Sequence, residues 1–166
     1  MTSACEARSM FRVVACVLLL ATACSSGLHA PPPASPSPTS TLQFSPALIE
    51  TDKGSVLFTV ELAVTNRERS RGLAGRRSLG PTDGMAFLFF RPTKEGFWMK
   101  DTLIPLTVAF FDDKGRILKI LDMAPCRAAP CHVYKPGVTY DGALEVNRGA
   151  LQSRSVDVGD IVHLAP

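Results

Sequence analysis

Two charged residues, Lys100 and Asp101, lie in an otherwise apolar stretch that also holds Trp98, the only tryptophan of the chain. Side chains alternate between the two faces of a strand, so Trp98 and Lys100 share one face and Asp101 points to the other. At least one of the two charges therefore leans toward the apolar side, where a charge persists only with a partner. We expect Arg71 to pair with Asp101, and Glu145 to pair with Lys100.

These five residues form the candidate site, and two interpretations of it are open. They are either a polar pocket beside Trp98 or a structural polar cluster. In the second interpretation, which we favour, an Arg71–Asp101 ion pair docks a short helix against a sheet.

A second candidate is the pair Cys126 and Cys131, which flanks a short gap that ends in Pro130. An even pair of cysteines in an exported domain predicts a disulfide. The alternative is a metal site of these two cysteines with His132. Zinc prefers four ligands, and His163 is the only other histidine of the domain. We therefore expect no metal and no cofactor.

No known catalytic motif accompanies these residues. The chain lacks a Gly-x-Ser-x-Gly run, a phosphate-binding glycine loop and a His-Glu-x-x-His run. A net charge of +3, with 20% charged residues, is too mild to indicate a nucleic-acid partner, which requires a concentrated basic face.

The elements that must position the candidate site are mostly strands. Strict alternation of apolar residues over 55–64 predicts a half-buried strand, and Thr65 and Asn66 then cap a short helix over 67–73. Further strands are predicted over 85–90, 96–101, 106–112, 116–122, 139–146 and 161–164. This pattern predicts a mainly β fold, a compact antiparallel sandwich or squat, jelly-roll-like barrel with one short helix.

The N-terminal residues predict export. Arginines precede an uncharged, mostly apolar run over 13–23, which is far shorter than the ~20 residues that span a bilayer. Residues 1–23 are therefore predicted to be a signal peptide, and a start at Met1 or at Met10 gives the same mature protein.

Cys24 ends a run that resembles the lipobox of bacterial lipoproteins, Leu20-Ala21-Thr22-Ala23-Cys24. In a lipobox, small residues precede a cysteine that becomes diacylated and N-terminal; here Ala21 stands where Leu is preferred. The resemblance implies a palmitate-type lipid anchor on Cys24, because two or more acyl chains attach a protein stably. The alternative is ordinary signal cleavage after Ala23 or Ala30.

Residues 24–41 follow as a Pro/Ser-rich tether that is too poor in apolar residues to bury a core. Residues 42–166 are enough for one β-domain. Ser25 directly after the cysteine resembles the rule for outer-membrane sorting. We therefore expect the outer membrane if the host is Gram-negative.

Several runs of the β-domain carry a family resemblance, and the run that begins Phe-Trp-Met-Lys is long and unusual. They are Arg67-x-x-x-Arg71-Gly72-Leu73, Gly84-Met85-x-Phe87-x-Phe89, Phe97-Trp98-Met99-Lys100-Asp101-Thr102-Leu103-Ile104-Pro105-Leu106, Pro125-Cys126, Pro130-Cys131 and Val158-Gly159-Asp160. Over roughly 56–164 the chain resembles the bacterial and archaeal DUF192 family. The resemblance implies a compact, often exported β-structure and implies no reaction. Asp101 stands where the family usually has Asn, and Ala74 where it often has Met.

These observations favour a lipid-anchored, non-catalytic cell-envelope protein. Its partners would be the membrane, through the lipid, and a cell-wall component or another envelope protein. One alternative is a glycan- or small-ligand-binding module with Trp98 as a stacking platform, which an exposed Trp98 on a concave face would favour. The other is a hydrolase of undescribed type that uses Lys100, Asp101 or His132. Convergence of the candidate residues on one open pocket is the most informative observation.

Overall fold

The computed structural model describes residues 43–165. Within that range there are nine strands, one α-helix and one short 3-10 helix. In chain order they are β1 (Phe44–Thr51), β2 (Gly54–Ala63), α1 (Asn66–Arg71), β3 (Asp83–Thr93), β4 (Phe97–Trp98), β5 (Leu106–Phe111), β6 (Ile117–Met123), β7 (Val133–Tyr134), β8 (Tyr140–Asn147), the 3-10 helix (Gln152–Arg154) and β9 (Ile161–Leu164). The predicted signal peptide, lipid-bearing Cys24 and tether lie outside the described residues. The described part holds no helix long and apolar enough to cross a membrane.

Seven strands form one sheet in the order β6-β5-β8-β3-β2-β1-β9, and β4 pairs with β7 in a small second sheet. The prediction of a mainly β fold with one short helix is confirmed. The sheet is mixed, since β2 and β3 run parallel while the other neighbours are antiparallel. Parallel neighbours need a crossover connection, and the chain between β2 and β3 supplies it through α1.

The two edge strands of the large sheet, β6 and β9, approach each other at one end only. There the N–H of Ile117 donates to the carbonyl oxygen of Asp160 (2.8 Å), and the N–H of Val162 donates to that of Gly115 (2.8 Å). The sheet therefore curls toward a barrel without closing along its length.

Each face of the large sheet is covered by its own apolar cluster in the described part of the chain. Adjacent residues of β8 go to different clusters: Leu144 packs with Phe58 and Leu151, whereas Ala143 packs with Phe87 and Phe110. This division follows from the alternation of side chains along a strand. The residues over the second face include Leu73, which follows α1, and Met99, which follows β4.

Helix α1 begins at a capping box, as the Thr65–Asn66 pattern predicted. The hydroxyl of Thr65 accepts the N–H of Glu68 (3.2 Å), and the carboxylate of Glu68 accepts the N–H of Thr65 (2.9 Å). The helix ends at Gly72, where φ is +49°, a conformation that glycine adopts most easily. These two ends fix the orientation of the arginines that α1 carries.

Candidate ligand-binding site

A cavity of about 780 Å³ opens on the second face of the sheet. Three parts of the chain surround it: α1, the second half of β3, and the segment from Gly96 to Thr102. Strand β8 contributes Tyr140 and Glu145 to its lining. Because these parts are distant in sequence, only the folded chain brings their polar side chains together.

Four of the five residues of the predicted candidate site line this cavity. They are Arg71 from α1, Trp98 and Lys100 from the segment after β3, and Glu145 from β8. Asp101 is absent from the lining. The structure thus brings four of the five residues to one cavity and leaves Asp101 outside its lining.

Trp98 and Lys100 both line the cavity, as strand alternation predicted, while Met99 between them is buried in the core. Trp98 is 55% exposed, and the Lys100 Nζ lies 5.8 Å from the centre of its indole ring. Thr102, two residues further on, is nearly buried and also lines the cavity. The ammonium group of Lys100 thus lies over the ring of the exposed indole.

Glu145 is only 4% exposed and lies in the middle of the sheet, between Met85 on β3 and Val108 on β5. No residue in the range 43–165 forms an ion pair or hydrogen bond with its carboxyl group, so the predicted Lys100 pairing is wrong. The described part also holds no fully buried side-chain oxygen without a partner, which means that the Glu145 oxygens reach the cavity.

Burial raises the pKa of Glu145 to about 8. Desolvation disfavours the charged form of a carboxyl group, and no neighbouring cation compensates it. At neutral pH the group is therefore mostly protonated, and it presents both an O–H donor and a carbonyl acceptor to the cavity.

Asp101 has a structural role other than the predicted one. Its φ is +57°, and it forms no ion pair with Arg71, so that prediction is wrong. The backbone turns at this residue: its carbonyl oxygen accepts the N–H of Gly75 (2.9 Å), and its N–H donates to the carbonyl oxygen of Cys126 (3.2 Å). Asn and Asp adopt this left-handed conformation more readily than other side-chain-bearing residues, which suits either residue to the position.

Arg69, which the sequence analysis did not single out, makes the contact to the sheet that was predicted for Arg71. Its guanidinium group donates to the carbonyl oxygen of Leu88 on β3 (2.9 Å) and lies 4.9 Å from the centre of the Phe89 ring. Both arginines are on α1 and both line the cavity. Their spacing alone did not reveal which one faces β3.

Phe90 is a second residue that sequence reasoning missed. It is 92% exposed and lines the cavity, at a point where the pairing of β3 with β8 is irregular between Leu88 and Thr93. Pro92 within this strand is the sequence signal that could have revealed the irregularity, because proline in a sheet marks an edge or a bulge.

Cys126 and Cys131 form a disulfide with an S–S distance of 2.15 Å. Each sulfur is thereby bound to the other, which removes both thiolates from the alternative metal site. No three His, Cys, Asp or Glu residues of 43–165 form a group that could hold a metal ion. The bridged loop lies against the cavity wall, since the N–H of Cys126 donates to the carbonyl oxygen of Met99 (3.2 Å) and Trp98 pairs with Val133.

The fold and the cavity define a small, mainly β domain with an aromatic-lined opening on one face of its sheet. Residues 48–164 match the model of DUF192, the family described as Uncharacterized ACR, and the chain belongs to that family. The resemblance drawn from the sequence motifs is thus confirmed.

Two solved structures share this fold. A protein from Sinorhizobium meliloti, described as a candidate transcription regulator, is 29% identical with a TM-score of 0.70, over 75% of this chain and 95% of that one. A protein of unknown function from Novosphingobium aromaticivorans is 31% identical with a TM-score of 0.68, over 76% of this chain and 89% of that one. A comparison with curated proteins finds no match.

Proposed function

We propose that this protein is a lipid-anchored cell-envelope protein whose β-domain binds a saccharide in the cavity and does not transform it. One observation carries the binding proposal. The exposed indole of Trp98 and the carboxyl of Glu145, which reaches the cavity and has no partner among residues 43–165, line the same space.

The size and lining of the cavity suit a small ligand. Ligand sites are typically clefts of about 300–1,000 Å³ with aromatic walls and a few convergent polar groups, and this cavity falls within that range. The Glu145 carboxyl opens to the cavity, where a hydroxyl of a ligand can form hydrogen bonds with it.

A saccharide matches this combination better than a purely apolar ligand. A sugar ring has an apolar face that packs on an aromatic ring, and its edge carries hydroxyl groups that both donate and accept hydrogen bonds. Trp98 offers the flat surface, and Glu145 and Thr102 offer polar groups deeper in the cavity. A protonated carboxyl can serve as donor and acceptor to one hydroxyl pair.

The anchoring proposal comes from the sequence. The short apolar run over 13–23 and the lipobox-like residues that end at Cys24 support export and lipidation. The description of the Sinorhizobium protein as a transcription regulator does not fit this chain, since the predicted export signal and the mild net charge of +3 both argue against a nucleic-acid partner.

The test uses Trp98 as its own reporter, because the chain has no other tryptophan. The full-length protein in detergent is titrated with chito- and cello-oligosaccharides and with muramyl fragments while tryptophan emission is recorded. We expect a saturable change, and we expect Trp98→Ala to lose binding in calorimetry. Phe44→Ala is the matched control, since Phe44 is 66% exposed and lies outside the cavity lining.

Two results would overturn the binding proposal. One is the absence of any saturable response across this panel. The other is equal binding by the Trp98→Ala variant and the wild-type protein.

A further inference from the structure

Cations dominate the charge around the cavity. Arg69, Arg71, Arg91 and Lys100 all line it, whereas Glu95 and Glu145 are its only carboxylic side chains among the residues that the structure describes. A cavity with walls of one charge sign concentrates ligands of the opposite sign.

These cations are not neutralised within the protein. Over residues 43–165, no carboxylate forms an ion pair with Arg71, Arg91 or Lys100. Arg69 is held by the carbonyl oxygens of Val64 and Leu88, which position its guanidinium group without cancelling its charge.

Glu145 does not offset this charge at neutral pH. Burial raises its pKa to about 8, so the group stays mostly uncharged. The remaining acid, Glu95, is exposed to solvent, as are Arg71, Arg91 and Lys100, so one carboxylate stands against four cations in the described lining. The net charge that a ligand meets in the cavity is therefore positive.

From this arrangement we infer that the cavity selects a saccharide that carries a carboxylate group, with Trp98 stacking on its ring and Lys100 and Arg71 binding its carboxylate. The inference rests on the proposed saccharide-binding function and goes beyond it by naming the ligand class.

The geometry around Trp98 supports this assignment. The Lys100 Nζ lies over the indole ring, 5.8 Å from its centre. A sugar that stacks on this face moves the ammonium group toward the ring edge, where the substituents of the sugar meet it. Arg71 reaches the same cavity from α1, and a guanidinium group matches the planar geometry of a carboxylate. A neutral saccharide leaves both cations without an acceptor.

The test compares pairs of sugars that share a ring and differ in one carboxylate. The probes are N-acetylmuramic acid against N-acetylglucosamine, and glucuronic acid against glucose. Each is titrated into the full-length protein in detergent at low ionic strength, and Trp98 emission is recorded. We expect the acidic sugar to bind about tenfold more tightly in each pair, and we expect the advantage to shrink as salt rises.

Two lysine variants test whether the tighter binding of acidic sugars arises in the cavity. Lys100→Met should reduce the affinity for the acidic sugars to that of the neutral ones, so that the difference within each pair disappears. Lys119→Met is the matched control, because Lys119 is exposed on β6 and lies outside the cavity lining. It should change neither affinity.

The failures of the two proposals are distinguishable. If neutral and acidic sugars bind equally and Trp98→Ala abolishes the binding of both in calorimetry, the proposed function stands and the carboxylate inference is overturned. If no sugar binds, or if only phosphatidylglycerol vesicles bind and Lys100→Met releases them, both proposals are overturned.

Discussion

At the scale of single residues, Asp101 and Glu145 show how much a carboxylate depends on its surroundings. For both, the sequence analysis predicted an ion pair, because a charge in an apolar run needs a partner. Asp101 escapes this requirement because the backbone turns there, with a φ of +57°, and the residue is exposed to solvent. Glu145 meets it by protonation, since burial raises its pKa to about 8. Strand alternation gives neither the turn of the backbone at Asp101 nor the depth at which Glu145 is buried. The two residues could therefore be singled out from the sequence, but the backbone conformation of the first and the protonation of the second could not.

Substitutions at Asp101 separate a backbone role from an ion-pair role. Asp101→Ala should lower the free energy of unfolding by about 1 kcal/mol, because alanine tolerates the left-handed conformation poorly. Asp101→Asn should change it little, and Asp101→Gly should destabilise less than Asp101→Ala. Urea unfolding measures all three, with Arg71→Ala as a control that should be neutral. Equal losses for the glycine and alanine variants would instead support a side-chain contact.

The raised pKa of Glu145 predicts that the stability of the protein depends on pH. Its pKa is about 8 in the folded protein and near the ordinary value of 4.5 when unfolded. Between those values the folded state binds more protons, so the stability contributed by the protonated group is lost as pH rises from about 4.5 to 8. Each pKa unit corresponds to about 1.4 kcal/mol.

Glu145→Gln should remove this pH dependence, because glutamine keeps the shape of the protonated acid and does not ionise. The melting temperature, followed by differential scanning fluorimetry from pH 5 to 9, should fall more steeply for the wild type than for the variant. Glu95→Gln, an exposed change in the same cavity lining, should follow the wild type. Parallel profiles for wild type and Glu145→Gln would contradict the assignment.

At the scale of elements, the segment that carries Trp98 and Lys100 depends on its neighbours. Strand β4 has only two residues, and an isolated pairing of that length is not stable by itself. It is held by β7, by the backbone of Cys126 and by the N–H of Gly75 after α1. The strand run over 96–101 was predictable from its apolar pattern. The support from the loop that contains Cys126 was not predictable, because its contacts join residues distant in sequence.

Removal of the disulfide should weaken this support. The double change Cys126→Ser and Cys131→Ser should lower the free energy of unfolding by roughly 2 kcal/mol, because the bridge restricts the unfolded chain. It should also weaken saccharide binding, since the loop backs the wall that carries Trp98. Urea unfolding with and without reductant measures the first effect. Reductant should destabilise the wild type and leave the double variant unchanged; an unaffected wild type would count against the bridge.

At the scale of the whole molecule, composition and turn signals were sufficient to predict a mainly β domain. The strand order was not predictable, because local periodicity does not say which strands are neighbours. The parallel pairing of β2 with β3 is the clearest instance. It arises from a crossover through α1, and it is this crossover that brings Arg69 and Arg71 over the sheet to form one side of the cavity.

The lipid anchor is tested on the whole protein. Cys24→Ser should move the protein from the membrane fraction to the soluble fraction and abolish acyl labelling, because the thiol is the group that lipid modifies. Cys126→Ser, which changes a cysteine of the folded domain, should leave labelling intact. Labelling that persists in the Cys24→Ser variant would show that another residue is modified.

The position of β1 also determines how the domain resists mechanical load. β1 lies between β2 and β9, pairing with both, and the hydroxyl of Ser45 donates to the carbonyl oxygen of Ala165 (2.7 Å). Any tension carried by the residues before Phe44 enters the domain at the start of this strand. Ladder hydrogen bonds run across the strands, so a pull along β1 loads both ladders in shear, and they must break together rather than unzip in turn. A tether ahead of Phe44 would therefore pull on a strand that hydrogen-bonds to two neighbouring strands.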